Sequence, residues 1–358
     1  MRLSPLFAAS LMAAALLSLD AEAQVVWLEK DYDFGLMKEA AGPATGSARF
    51  INRGREAVSV TGARPSCGCT SVDYSEEPVA PGDTAVISFT YDPTGRPGKF
   101  DKSIRVYIGE HDSYRIGIKG NVLGTPESLE QFYPYQGAAL RLSDTVVAAG
   151  EMVHGSSRNF FVNAYNQSPD SITPVVTLSD PALKAVCSEK RMGPGDIATF
   201  ALYFNSGQVK EVGELEIPVV ISYEEERTAE PLTVEFRANV TPDFSRLTPE
   251  QVADGPRCYL IPERTDLGIL SGDRVAEFSC RIQNQGKGKL NVLRISPKNR
   301  AVKVKRRPSS VKAGKTDDIR FAISVGAVPS GAFNIPVDII TDDPLHPIRT
   351  LYVVGIKE

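Results

Sequence analysis

The sequence predicts an all-β protein of three immunoglobulin-like β-sandwich domains in tandem after a signal peptide. Three observations support this prediction. The chain begins with an apolar segment followed by a cleavage pattern, and a set of turn landmarks recurs three times in the same order. Between the landmarks, strand-sized segments alternate apolar and polar residues and are rich in β-branched and aromatic residues.

The N-terminal segment has the layout of a secretory signal peptide. Arg2 supplies a basic start, residues 6–19 are apolar, and Ala21-Glu22-Ala23 gives the small-x-small cleavage pattern. Residues 1–23 are therefore expected to be removed, near Ala23/Gln24. The apolar run is shorter than the roughly 20 residues that a membrane-spanning helix needs. We expect a periplasmic or secreted protein without a transmembrane segment.

The landmarks keep nearly constant spacing. From an Asn to the central turn Gly the separations are 30, 29 and 30 residues, and from there to a Gly-x-apolar motif they are 16, 18 and 17. The landmarks are Asn52, Pro81-Gly82-Asp83 and Gly98 in the first repeat; Asn166, Pro194-Gly195-Asp196 and Gly213 in the second; Asn284, Ala313-Gly314-Lys315 and Gly331 in the third. The predicted domains are residues 24–123, 137–241 and 258–358.

Each repeat is expected to form strands, for example at 85–91 and 103–108, and Pro-Gly-Asp suits a chain reversal. The linkers are 124–136, which is polar, and 242–257. The second linker holds Thr248-Pro249-Glu250-Gln251, which has the form of a helix start with a Thr cap and Pro at the first position. It predicts one short helical turn, and little other helix is expected.

Five motifs of the first repeat occur in a characteristic order. They are Tyr-Asp-Phe-Gly at 32–35, Phe-Ile-Asn-Arg-Gly at 50–54, Ser-Cys-Gly-Cys-Thr at 66–70, Val-Ala-Pro-Gly-Asp at 79–83 and Arg-Pro-Gly-Lys-Phe at 96–100. This segment, about residues 27–122, resembles the bacterial domain-of-unknown-function family 1573, an immunoglobulin-like module of exported proteins of Bacteroidetes. The third repeat looks like a diverged copy, with Thr-Asp-Leu-Gly at 265–268. The resemblance implies the fold, export and a periplasmic setting, and no activity.

The Cys67-Gly68-Cys69 pair allows three interpretations. An extended strand would separate the two residues by about 6.5–7 Å, at the upper limit for a disulfide, and the glycine permits a tighter bend. We favour the first interpretation, in which the two thiols either pack as small apolar groups or form a local disulfide. The alternatives are a copper or zinc site, which needs further ligands, and a thiol-exchange site.

The remaining cysteines are Cys187, Cys258 and Cys280, so the total of five is odd. Cys258 and Cys280 flank the first turn of the third repeat, and we expect a disulfide between them across adjacent strands. Cys187 is expected to be a buried small residue.

Residues 298–315 carry eight Lys and Arg side chains and no acidic one. Such a run is typical of a solvated sheet edge, where Lys blocks unwanted strand pairing. The alternative is a patch for anionic glycan or lipid headgroups, formed by Lys303, Lys305, Arg306 and Arg307. In contrast, Asp342-Asp343 is expected at a solvated hairpin tip.

The chain carries no catalytic motif and only three His, one in each repeat, so we expect no enzyme and no cofactor. Its net charge of −4 gives no electrostatic reason for binding nucleic acid. The leading hypothesis is an exported binding or scaffold protein of the cell envelope, with envelope proteins or glycans as partners. The alternative is a metal-binding or thiol-redox protein that uses Cys67 and Cys69. The sequence assigns no oligomeric state.

Overall fold

The computed structural model describes residues 24–110, 112–226 and 229–358. The predicted signal peptide at 1–23 lies outside the described residues. The prediction of an all-β protein is confirmed, since the described chain forms twenty-six strands in six sheets and only two short α-helices.

Contacts divide the chain into two compact units. The first holds the residues up to Arg141 together with Tyr165–Ser171 and Met192–Ile197; the second holds Leu142–Ala164, Ile172–Arg191 and Ala198–Glu358. The predicted division into three immunoglobulin-like domains is a finer one and stays a prediction. We call strands β1–β8 the first module, β9–β17 the second and β18–β26 the third.

The first module lies within the first unit and consists of two four-stranded sheets. Their strand orders are β1-β3-β6-β5 and β2-β8-β7-β4. The strands are β1 Val25–Glu29, β2 Asp31–Lys38, β3 Ala44–Asn52, β4 Val60–Pro65, β5 Thr70–Tyr74, β6 Thr84–Tyr91, β7 Gly98–Ile108 and β8 Asp112–Leu123. Phe50, Ile87 and Phe89 from one sheet share a core cluster with Ile104 and Ile116 from the other. The alternation in the predicted strands at 85–91 and 103–108 therefore reflects one face turned to this core.

The second module follows helix α1, Pro126–Phe132. Its sheets have the orders β14-β15-β12-β10-β9 and β11-β17-β16-β13. The strands are β9 Tyr135–Gln136, β10 Leu140–Leu142, β11 Val146–Val153, β12 Ser157–Asn166, β13 Pro174–Leu178, β14 Leu183–Cys187, β15 Ile197–Asn205, β16 Gly213–Tyr223 and β17 Leu232–Thr241. Strands β10, β12 and β15 have residues in both units.

The third module follows helix α2, Pro249–Ala253, and lies within the second unit. Its sheets have the orders β18-β20-β24-β22 and β19-β26-β25-β21-β23. The strands are β18 Cys258–Ile261, β19 Arg264–Leu270, β20 Val275–Asn284, β21 Leu290–Pro297, β22 Val302–Arg306, β23 Ser310–Val311, β24 Thr316–Ser324, β25 Gly331–Thr341 and β26 Ile348–Lys357. Both sheets contribute side chains to one core cluster, with Ile282 and Phe321 from one and Val337 and Leu351 from the other.

The recurring Asn is a buried hydrogen-bonding centre in each module. Asn52, Asn166 and Asn284 have no exposed surface. Each Nδ2 donates to the carbonyl four residues ahead at 2.7–2.8 Å, and to a carbonyl 26 or 27 residues ahead at 2.9–3.0 Å. Each Asn carbonyl also accepts from the central turn Gly at 2.7–2.9 Å. The constant spacing of these two landmarks thus reflects a direct backbone hydrogen bond.

A second recurring feature is a parallel strand pair with a bulge. Strands β2, β11 and β19 run parallel to β8, β17 and β26, and each pair shifts register once. Gly35, Gly150 and Gly268 lie at these shifts with φ of +64°, +70° and +67°. Because L side chains avoid this region, the bulge accounts for the Gly of the Tyr-Asp-Phe-Gly and Thr-Asp-Leu-Gly motifs.

The helical turn predicted at Thr248 is confirmed. Thr248 and Gln251 form a reciprocal capping box at the start of α2. Helix α1 in the first linker was not predicted, although Thr125 caps it by accepting from Ser128 N and Pro126 occupies its first position. Ser128 stands where the capping box needs Glu or Gln, so the second half of the sequence signal is missing.

Candidate functional site

Cys67 and Cys69 lie where the chain crosses between the two sheets of the first module. Strand β4 ends at Pro65 and β5 begins at Thr70, and these strands belong to different sheets. The two cysteines form a disulfide with a Cα–Cα distance of 5.3 Å. The turn at Gly68 therefore brings them closer than an extended strand would, into the usual range for a disulfide.

The disulfide packs on an aromatic pair. Cys69 is 5% exposed and belongs to a small cluster with Tyr91 and Phe100, whose rings stack at a centroid distance of 3.8 Å. Cys67 is half-buried at its rim, with its Sγ 3.6 Å from Thr70 Oγ1. One sulfur is thus covered by the protein and the other lies nearer to solvent.

The disulfide also bears on the metal hypothesis. A soft metal needs thiolates, and both sulfurs are committed to the S–S bond in this state. Across the described residues, no group of three or more His, Cys, Asp and Glu could hold a metal ion.

The structure does not contain the disulfide predicted between Cys258 and Cys280. Both are buried free thiols. Strands β18 and β20 are neighbours, as expected, but their register places Cys258 opposite Asn284, and Cys280 lies opposite Ile319 of β24. Burial raises the pKa of each thiol to about 12, so both are neutral core groups. Cys187 is half-buried rather than buried, and burial also raises the pKa of its thiol.

Three of the eight basic residues, Lys303, Lys305 and Arg306, lie on the edge strand β22. Lys303 and Lys305 are exposed there. Arg306 forms an ion pair with Asp317 at 2.9 Å, and Arg307 donates to the carbonyls of Val292 and Leu293 at 3.3 and 3.1 Å. All four predicted residues are therefore exposed, and the two arginines differ from the two lysines in also bonding within the module.

The acidic pair in the β25–β26 turn is not a solvated tip. Asp343 is fully buried, and it accepts from Cys258 N at 2.8 Å and from Leu345 N at 3.0 Å. Asp342 accepts from Asn291 N at 2.7 Å. The two carboxylates organise this end of the third module, since they satisfy backbone donors of three separate segments.

Glu39 joins the first module to its linker. Its buried carboxylate accepts from Gly95 N at 2.7 Å, Thr125 N at 2.9 Å and Ser128 Oγ at 2.5 Å. Burial acts to raise the pKa of this carboxyl, but the Ser128, Gly95 and Thr125 donors outweigh it and lower the pKa below its usual value. Tyr165 completes the junction, because its hydroxyl accepts from Gly124 N at 3.0 Å.

A second contact in the first unit involves the Pro-Gly-Asp turn of the second repeat. Lys99 forms an ion pair with Asp196 at 3.0 Å. Asn121 Nδ2 donates to the Asp196 carboxylate at 2.9 Å and to the Pro194 carbonyl at 3.1 Å. This turn therefore reverses the chain and also holds the end of the first module.

The second unit contains a corresponding junction between the second and third modules. Lys298 Nζ lies 2.7 Å from Glu214 and 2.8 Å from Asp338, so one cation joins a carboxylate of each module. Arg294 donates to the Val212 carbonyl at 3.1 Å. These contacts could not be predicted from the sequence, because their partners are remote along the chain and ordinary in type.

In the described part of the chain, no helix is both long and apolar enough to cross a membrane.

Three solved structures illustrate the comparison with known folds. A protein of unknown function from Porphyromonas gingivalis W83 matches 61% of this chain and all of its own, at 17% identity and a TM-score of 0.48. The Pseudomonas aeruginosa CupB2 chaperone matches 59% of this chain and 98% of its own, at 10% identity and a TM-score of 0.23. The E. coli chaperone DraB matches 57% of this chain and 92% of its own, at 13% identity and a TM-score of 0.24. These values are too low to support an argument about function.

No curated protein is significantly similar to the chain in sequence. One family does match part of it, and the matched segment spans most of strands β1–β8. Residues 25–122 match the family described as "Protein of unknown function (DUF1573)", which confirms the resemblance inferred from the motifs of the first repeat.

Proposed function

We propose that the protein is an exported, non-enzymatic scaffold of the bacterial cell envelope that binds envelope proteins or glycans through immunoglobulin-like modules. The observation that supports the scaffold role most strongly is the construction of the junctions. Glu39 with Thr125 and Ser128 in the first unit links successive segments through a buried carboxylate, and Lys298 with Glu214 and Asp338 in the second does so through an ion-pair cluster that is partly exposed.

Such junctions differ from flexible linkers in their effect on binding. A carboxylate that satisfies three donors within a buried site holds its partners in one arrangement, because each lost hydrogen bond would leave a desolvated polar group. Modules fixed in this way lose less conformational freedom when a partner binds, and this preorganisation favours affinity.

The exposed edge of β22 is a contact surface consistent with this function. It carries Lys303 and Lys305 on the outermost strand of its sheet. Edge strands offer unpaired backbone groups for strand addition, and lysines there both discourage self-pairing and attract anionic ligands. We assign anionic envelope glycans to this edge.

The test is affinity capture from the envelope fraction of the producing bacterium, with the mature protein immobilised. We expect a reproducible set of bound proteins or glycans, quantified by mass spectrometry. The matched control is the double variant Lys303→Glu and Lys305→Glu, which should lose anionic glycans and keep protein partners. Recovery no higher than from the bare resin would refute the scaffold function.

A second candidate is thiol–disulfide exchange at Cys67–Cys69, favoured by the disulfide and the half-buried Cys67 sulfur. A thiolate of a partner protein would attack Cys67 Sγ, forming a mixed disulfide and releasing the Cys69 thiolate. In Cys69→Ser the Cys67 thiol has no neighbouring cysteine, so a mixed disulfide that it forms by attacking a partner's disulfide, with release of the partner's other thiolate, should persist and trap that partner. The wild-type protein treated with a dithiol should gain two free thiols. A disulfide that resists a dithiol in the folded protein would exclude this candidate, and metal analysis of the reduced protein tests copper or zinc binding directly.

A further inference from the structure

Three glycines occupy equivalent positions at the start of the Gly-x-apolar motifs. Gly98, Gly213 and Gly331 begin strands β7, β16 and β25, with φ of +98°, +101° and +98°. Each strand then pairs with the last strand of its module. The backbone at these points is therefore the same in all three modules and is one that favours glycine.

The first two glycines are each covered by a different isoleucine side chain. A Cβ built on Gly98 would clash with the side chain of Ile197, in the first unit. A Cβ built on Gly213 would lie 2.7 Å from Cδ1 of Ile340, in the second unit. In both cases the next residue forms an ion pair close by, from Lys99 to Asp196 and from Glu214 to Lys298. At both positions the missing side chain of the glycine leaves room for an aliphatic side chain of the segment that follows. We call such a glycine position a seat.

The third seat is open. A Cβ on Gly331 would meet no atom within 4 Å. Ala332 stands where the other modules have a charged residue, and it pairs in register with Ile356, which pairs in turn with Ile269. Ile356 is 48% and Ile269 is 61% exposed. Ala332, Ile356 and Ile269 line a groove of about 480 Å³ beside the Gly331 seat, together with the polar residues Arg264, Asp266 and Asn334.

We propose that a second copy of this chain docks on the open Gly331 seat with its first module, through the face of β4 and β7 around Tyr107. The choice follows from the strand pair that Gly213 contacts. Strands β21 and β25 place Arg294 opposite Ile340, just after a register shift at Val292.

Strands β4 and β7 repeat that arrangement. They place Gly62 opposite Tyr107, just after a register shift at Val60. Tyr107 is half-buried, and the Arg64 guanidinium carbon lies 5.9 Å from its ring centroid. Tyr107 thus stands where Ile340 stands in the third module. An aromatic side chain there matches the uncharged Ala332 seat better than it would match Lys99 or Glu214.

The contact is head-to-tail, because it joins different surfaces of the two copies, and it can therefore continue from copy to copy. This inference deepens the proposed scaffold function and rests on it, by naming a second copy as a partner. Because the contact is centred on one aromatic side chain and small interfaces bind weakly, we expect self-association with a dissociation constant on the order of 10–100 µM.

The test is sedimentation velocity of the purified mature protein across that concentration range. The variant Ala332→Glu disables the Gly331 seat, Tyr107→Ala disables the face, and Leu345→Glu is the control, since Leu345 is 53% exposed elsewhere on the third module. We expect the wild type and the control to associate and each disabled variant to remain monomeric. Arg64→Glu provides a second face variant if Tyr107→Ala shifts the fluorescence of Trp27.

Mixing the two disabled variants gives the sharpest result. Each retains one intact half of the contact, so the mixture should form dimers and nothing larger. A monomeric wild type, association unchanged by Ala332→Glu, or a mixture without dimers would each overturn the inference. These outcomes are separable from failure of the scaffold function, because this assay contains no envelope partner and the capture assay does not depend on self-association.

Discussion

Replacing Asn52 by Ala tests the physical basis of the repeat. The side chain is fully buried and makes three hydrogen bonds, to Glu56 O at 2.7 Å, to Val79 O at 2.9 Å and from Gly54 N at 2.9 Å. The variant leaves these backbone groups without their partner. At about 1 kcal/mol for each net hydrogen bond, the free energy of unfolding of the first module should fall by about 3 kcal/mol.

The assay is urea unfolding followed by the fluorescence of Trp27, the only tryptophan of the chain, which packs on Phe50 and Tyr114 in the first module. With a slope of about 1.5–2 kcal/mol/M, the midpoint should fall by about 1.5–2 M. The exposed neighbour Arg53 supplies the control, since Arg53→Ala removes a surface side chain and should change the free energy by no more than about 0.5 kcal/mol. Equal midpoints for Asn52→Ala and Arg53→Ala would refute the role assigned to this residue.

Three further predictions concern the first unit. Because the pKa of Glu39 is lowered in the folded protein, the contribution of this carboxylate to stability is complete above its unfolded pKa and is lost as the pH falls through its folded pKa. In urea titrations the difference in free energy of unfolding between wild type and Glu39→Gln should therefore shrink between pH 6 and pH 3. A constant difference would contradict this. Gly120→Ala should destabilise the protein by about 1–3 kcal/mol, since the new Cβ would lie 2.8 Å from the Phe100 ring. Gly68→Ala is the control and should have little effect, because a Cβ there would meet open space. Similar losses of stability for both variants in thermal unfolding would contradict the close packing of Gly120 on Phe100. The double variant Cys67→Ser and Cys69→Ser should still fold and lose about 1–2 kcal/mol, as a three-residue loop predicts, and a first module that no longer folds by Trp27 fluorescence would show a larger structural role.

The sequence predicted the β class and the strands well, because alternation and turn residues act locally. Residues 85–91 and 103–108 show this, as do the central turns. The helix at Thr248 could be predicted for the same reason, since the whole capping box lies within four residues. The helix at Thr125 has only half of that signal, and its position is fixed in addition by Glu39, 86 residues earlier in the chain.

Contacts between distant residues account for what the sequence did not reveal. The Asn landmark was recognised as a repeat, but its hydrogen bonds depend on the folded course of the chain. The predicted Cys258–Cys280 disulfide is wrong because the register of β18 and β20 places Cys258 opposite Asn284. Closeness in sequence does not determine this register. Asp343 shows the opposite error, because an acidic pair in a turn is usually solvated, and here it satisfies buried backbone donors.

Fixed junctions can make the modules a scaffold only if the backbone at the Glu39 junction stays closed, and amide hydrogen exchange measures this. We expect the Gly95, Gly124 and Thr125 amides to exchange about 100-fold or more slowly than in an unstructured peptide. In Glu39→Ala, Gly95 and Thr125 should lose this protection while the amides of β6 keep theirs. Exchange of the wild-type Gly95 and Thr125 amides at unprotected rates would contradict the claim.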